Sequence, residues 1–145
     1  MRNGQPLAIG KAHRRALTSR LCLLDEMLAE FEGWAGGEAA GGVLFAVDNE
    51  LSAEQREDLA REVRETRRLL EEMREDCGLR VERRSVRQAL LSRCALLHEM
   101  LTELEPRYLR RYGAMDEEAA DYLEEKVGGL QERVEALRRS ARRRG

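Results

Sequence analysis

Cys94 and His98 are the side chains best suited to metal chemistry, because a spacing of four puts both on one helix face. Two ligands do not make a zinc site, and a similar segment earlier in the chain has Leu21 and Asp25 at the matching positions. A di-iron centre in a helical bundle needs inward glutamates and Glu-x-x-His pairs. No E-x-x-H occurs, and Glu26 and Glu99 fall opposite the leucines of their helices. No P-loop, G-x-S-x-G or dinucleotide fingerprint is present. The sequence therefore leads to no metal, no cofactor and no catalytic residue, and to a protein that works by binding.

Arg93 and His98 form an R-x4-H pattern. It resembles the ribonuclease motif of HEPN-type helical bundles, over six residues. That resemblance implies an arginine and a histidine acting on RNA phosphates, often across a dimer. The polar residue that usually follows the arginine is Cys94 here. The earlier segment repeats the arginine as Arg20 but has Asp25 in place of the histidine, which is a pattern of structure rather than catalysis. Arg20 and Arg93 both project within the apolar arc of their helices at about 100° per residue. Either their methylene stems pack while the guanidinium heads emerge at the edge, or each forms a partly buried ion pair that fixes helix register.

The elements that must position these residues come from a duplication. Residues 16–32, ALTSRLCLLDEMLAEFE, and 89–105, ALLSRCALLHEMLTELE, share 11 of 17 residues. A fainter echo relates Leu59, Val63, Thr66, Leu70 and Met73 to Leu123, Val127, Leu130, Val134 and Leu137. The chain therefore reads as two copies of a helix–loop–helix unit. The first helix has the stripe Leu17, Leu21, Leu24, Leu28 and Phe31, widened by Leu23 and Met27, with Gly33 as its expected end. A glycine-rich connection follows. Ser52 and Gln55 form a capping box before a second helix with the stripe Leu59, Val63, Thr66, Leu70, Met73 and Cys77, ended by Gly78. Ser85 and Gln88 open a third helix with the stripe Leu90, Cys94, Leu97, Leu101 and Leu104, and Pro106 matches Gly33 as a breaker. RYLRRYG reads as a short extension, and Asp116 caps a fourth helix that contains Gly128 and Gly129.

The expected architecture is all-α: an antiparallel four-helix bundle made of two duplicated hairpins, with helices of roughly 22 to 26 residues. Residues 1–10 form a flexible lead-in and 11–145 a single domain, with repeat 1 at about 11–79 and repeat 2 at about 85–141. Charged residues make up 37 % and the net charge is −2, so any electrostatic partner must see a local patch. Cys22, Cys77 and Cys94 form no zinc-type spacing and read as reduced thiols in a cytoplasmic protein, with Cys22 off the core face and Cys94 at its edge. No apolar run approaches the ~20 residues needed to cross a bilayer, and no signal peptide opens the chain.

In an up-down-up-down bundle the two poles differ. One gathers Lys11, Arg14, Arg15, Arg80, Arg83, Arg84, Arg87, Arg138, Arg139, Arg142, Arg143 and Arg144, which is 12 of the 26 basic residues. Arg80, Arg83, Arg84, Arg87, Arg138, Arg139 and Arg142 are its candidate binding residues, against the alternative of a solvated arginine end. Its lack of aromatic rings points to phosphates rather than stacked bases. The other pole holds 16 of the 28 acids and every aromatic residue. Trp34, Phe45, Tyr108 and Tyr112 are candidates for a protein interface there, unless the first connection folds over the bundle as a plug with Trp34, Leu44 and Phe45 closing the core. The leading expectation is a non-enzymatic protein-interaction or adaptor bundle. The alternatives are an anion or nucleic-acid binder using the arginine-rich pole, and a HEPN-like ribonuclease. A homo-oligomer is compatible with each.

Overall fold

The computed structural model describes residues 4–143, so Arg144 lies outside the described residues. The described chain is all-helical, with five α-helices, one 3-10 turn and no strand. It divides into two units, Met1–Glu82 and Arg83–Gly145.

The first unit pairs α1 (Lys11–Ala35) with α2 (Ala53–Cys77). They run antiparallel. Near the connection Gly37 lies beside Arg56 of the first turn of α2, and Glu32 meets Arg67 at 2.8 Å. At the far end the Leu7 amide donates to the Asp76 carbonyl, and Gly78 lies beside Pro6 and Arg14. The capping box at Ser52 forms as its sequence implies, with each side chain bonded to the other residue's amide. Gly78 closes α2 with φ 61°, a left-handed conformation that favours glycine. Leu28, Val63 and Cys77 are buried, and Leu59, Thr66, Leu70 and Met73 are half-buried, so α2 packs on the stripe its spacing predicts. The exposed side of α2 is laced by pairs one turn apart, among them Arg68 with Glu65 and Glu72. A hydrogen bond from Arg74, together with its charge, holds the Glu71 carboxyl below its ordinary value.

Two expectations fail in this unit. The first helix does not end at Gly33. It runs through to Ala35 and is closed by Gly36, whose amide donates to the Glu32 and Gly33 carbonyls. An interior glycine costs about 1 kcal/mol, and the two further residues offset this by stacking Trp34 on Phe31 (ring centroids 5.4 Å apart) and half-burying Ala35. The connection is also no plug. Val43, Leu44 and Phe45 are all exposed. Gly42 donates to the Phe45 carbonyl and the Phe45 ring lies against Gly42, so the turn packs on itself. Asn49 anchors the connection by donating to the Trp34 and Glu38 carbonyls at 2.9 and 3.0 Å.

The second unit pairs α3 (Val86–Thr102) with α5 (Glu117–Arg142). Between them lie the short α4 (Pro106–Leu109), which packs on α5, and the 3-10 turn Arg110–Tyr112. Ser85 caps α3 by accepting from the Gln88 amide at 3.2 Å. Asp116 caps α5 by accepting from the Ala119 amide at 2.8 Å. α3 has 17 residues and is shorter than expected. Pro106 forces Glu105 into extended backbone (ψ 143°) and instead opens α4.

The core stripes of this unit are partly those read in the sequence: Leu90, Cys94 and Leu101 on α3 and Leu123, Val127 and Val134 on α5 are buried or half-buried, but each stripe is shifted to one side. Cys94, expected at the edge, is only 2 % exposed and is the most buried side chain of α3. On α5 Ala120, Val127 and Ala141 are buried, while Leu130 and Leu137 are exposed. The buried arc of α3 is centred on Cys94, with Leu90, Leu91, Leu101 and Thr102 half-buried around it, and leaves Leu97 and Leu104 exposed. Small residues on α5 suit that contact, because they let two helices approach closely.

Candidate interaction surfaces

α1 and α3 have apolar arcs wider than one neighbouring helix covers. In the first unit Leu28 faces the core, while Leu23, Leu24 and Met27 remain exposed. In the second unit Leu96, Leu97 and Met100 remain exposed in the same way. These positions match in the similar segments 16–32 and 89–105, so the two open faces have the same side chains. Sequence reasoning noted the extra width at Leu23 and Met27 but assigned it to the core. The signal that could have found the faces was the identity between segments 16–32 and 89–105 at positions the hairpin core does not need.

A shallow groove of about 590 Å³ continues the α1 face towards its N-terminus, lined by residues that include Ile9, His13, Leu17, Arg20 and Leu21. Arg20 lies at its edge with its guanidinium donating to the Ala16 carbonyl at 3.4 Å, and no ion-pair partner among the described residues. Arg20 and Arg93 are both exposed, as the packed-stem reading requires and the buried-ion-pair reading does not.

The candidate aromatic residues fall in both units. Trp34 and Phe45 belong to the first, and Tyr108 and Tyr112 to the second, and all four are exposed. Arg107 sits over the Tyr108 ring at 4.7 Å and Arg111 over the Tyr112 ring at 5.0 Å. These rings already carry cations of their own, which leaves them amphipathic rather than simply apolar.

Of the candidate arginines, Arg80 lies in the first unit, after the end of α2. Arg83 and Arg84 precede α3 and Arg87 is in its first turn. Arg138, Arg139 and Arg142 lie near the end of α5. Arg138 is half-buried and pairs with Glu135 at 3.9 Å, and Arg84 also has a partner. Arg80, Arg83, Arg87, Arg139 and Arg142 are exposed and make no ion pair among the described residues.

The pairs weighed for chemistry separate. Cys94 is buried while His98 and Arg93 are exposed, so thiol and imidazole do not share an environment. No group of three metal-ligating side chains occurs among the described residues, and Glu26 and Glu99 are exposed as expected. No described helix is long and apolar enough to cross a membrane. Comparison of the chain with protein-family models, curated proteins and solved structures finds no match.

Proposed function

We propose that this protein is a non-enzymatic interaction module, acting in the cytoplasm, whose docking surfaces are the open apolar faces of α1 and α3. One observation carries the reading: two hairpins keep the same Leu-Leu-x-x-Met cluster exposed at matching positions. An apolar patch left open twice in the same place marks a binding surface rather than scattered surface leucines. Closing the hairpins into a single antiparallel four-helix bundle, one domain over 11–145, is the competing use of those faces, and the duplication supports it. The aromatic candidates Trp34, Phe45, Tyr108 and Tyr112 offer a further protein-binding surface, being exposed and of the types that interfaces favour.

The test is affinity capture from the source lysate with and without nuclease, comparing the natural chain with a Leu23→Glu, Leu96→Glu variant. Proteins retained despite nuclease and lost on the variant are the expected result. Identical retention by both chains would end the reading. A second reading, an anion-binding pole, draws on the exposed arginines Arg80, Arg83, Arg87, Arg139 and Arg142, which have no carboxylate to neutralise them among the described residues.

A further inference from the structure

The open face of α1 has an internal order. Arg20, Leu23, Met27 and Glu30 fall within an arc of roughly 80° at 100° per residue. α3 repeats the same residues at the same spacing as Arg93, Leu96, Met100 and Glu103. All eight are exposed, Leu23 at 53 % and Leu96 at 56 %. None of the four charged groups has an ion-pair partner among the described residues.

The pattern is symmetric about its midpoint at Asp25, or His98 in the second copy. The arginine and glutamate lie five residues either side of the midpoint, and the leucine and methionine two residues either side. Laid antiparallel on an identical face, it places each arginine opposite a glutamate and each leucine opposite a methionine. Laid parallel in register, it places arginine on arginine and glutamate on glutamate. The face is therefore complementary to itself in one orientation only, the one a twofold axis generates.

The surface area agrees. Two compact bodies with the masses of the two units would together expose roughly 9,000 Å², whereas the chain exposes 12224 Å². That excess, to which the exposed 36–52 connection also contributes, is larger than the roughly 800 Å² per partner of a standard interface.

We propose that the protein is a homodimer in which the Arg-x2-Leu-x3-Met-x2-Glu faces of one protomer lie antiparallel on those of a second copy. The proposal rests on reading these faces as docking surfaces and names what docks there. Sedimentation equilibrium on the full chain should give twice the 16.6 kDa chain mass. Arg20→Glu with Arg93→Glu should weaken dimerisation at least about tenfold, because like charges then meet at each end of the face. Adding Glu30→Arg and Glu103→Arg to the same chain should restore it, since the swapped pattern is again self-complementary. Circular dichroism melts of both variants control for folding. Met27 and Met100 should resist peroxide in the dimer and react on dilution.

A dimer indifferent to the charge reversal, or one the fourfold variant fails to rescue, would overturn the proposal. A monomer at about 100 µM would overturn it as well. If Met27 and Met100 then react freely, the faces remain open to a different protein and the docking reading survives. If they are protected in a monomer, the faces close within one chain and both readings fall.

Discussion

Leu24 and Leu28 are both leucines of the same predicted stripe, yet the structure treats them differently. Leu28 is 3 % exposed and Leu24 36 %. Leu28→Ala should therefore cost roughly 2–5 kcal/mol at any protein concentration, the range for a large-to-small core change. Leu24→Ala should cost less in dilute solution, with a cost that rises with concentration if the face is covered by a second copy. Denaturant melts at two concentrations read both effects. The thiols divide along similar lines. Cys77 and Cys94 are buried and Cys22 is half-exposed, with its Sγ 3.3 Å from a Glu82 carboxylate oxygen. All three are free. Ellman titration of the native protein should show one fast and two slow thiols, and added reductant should leave the melting temperature unchanged. Three fast thiols would contradict the burial of Cys77 on α2 and of Cys94 on α3.

At the scale of the element, glycines give the sharpest contrasts. Gly128 and Gly129 lie inside α5, and a methyl group added at either meets nothing within 4 Å. No close-packed neighbour therefore requires glycine at either position. Gly128→Ala and Gly129→Ala should each stabilise the protein by roughly 0.5–1 kcal/mol, seen as higher melting temperatures. Gly78→Ala should destabilise it by about 1–2 kcal/mol, because φ 61° is strained for any side chain. Ser52, Gly78, Ser85 and Asp116 all act as the caps that the sequence marks, since a cap depends on residues within one turn of itself. Gly33 misleads because a glycine stops a helix only when nothing beyond it packs, and here Trp34 and Ala35 do. Pro106 misleads less. It bars the preceding residue from helical backbone whatever surrounds it, though α3 ends three residues earlier still.

At the scale of the whole molecule, charge distribution is the next quantity to test. An anion-binding pole requires binding that falls steeply between about 50 and 200 mM salt, because each neutralised phosphate releases counterions. Titration of labelled duplex DNA, duplex RNA and anionic vesicles over that range reads it directly. Arg83→Glu with Arg87→Glu should abolish binding without unfolding, since both are exposed at the edge of α3. No binding at the lower salt would end the anion reading and leave the interaction module alone.

By itself the sequence determined that the chain is helical, where its four long helices begin, and that residues 16–32 and 89–105 are alike. These properties follow from hydrogen bonds and side-chain spacing within a turn or two of each residue. The 11 identities between residues 16–32 and 89–105 also marked the candidate docking face, though not its exposure. Only tertiary structure decided which edge of each broad apolar arc meets its neighbour. Periodicity gives the width of an apolar stripe but not the direction from which a partner arrives, so Cys94 is buried in place of Leu97, Ala120 and Ala141 in place of Leu130 and Leu137, and Leu23 and Met27 are left open. The exposed course of the 36–52 connection was beyond the sequence for the same reason: Val43, Leu44 and Phe45 are apolar enough for a core, and whether a core reaches them depends on where distant helices lie.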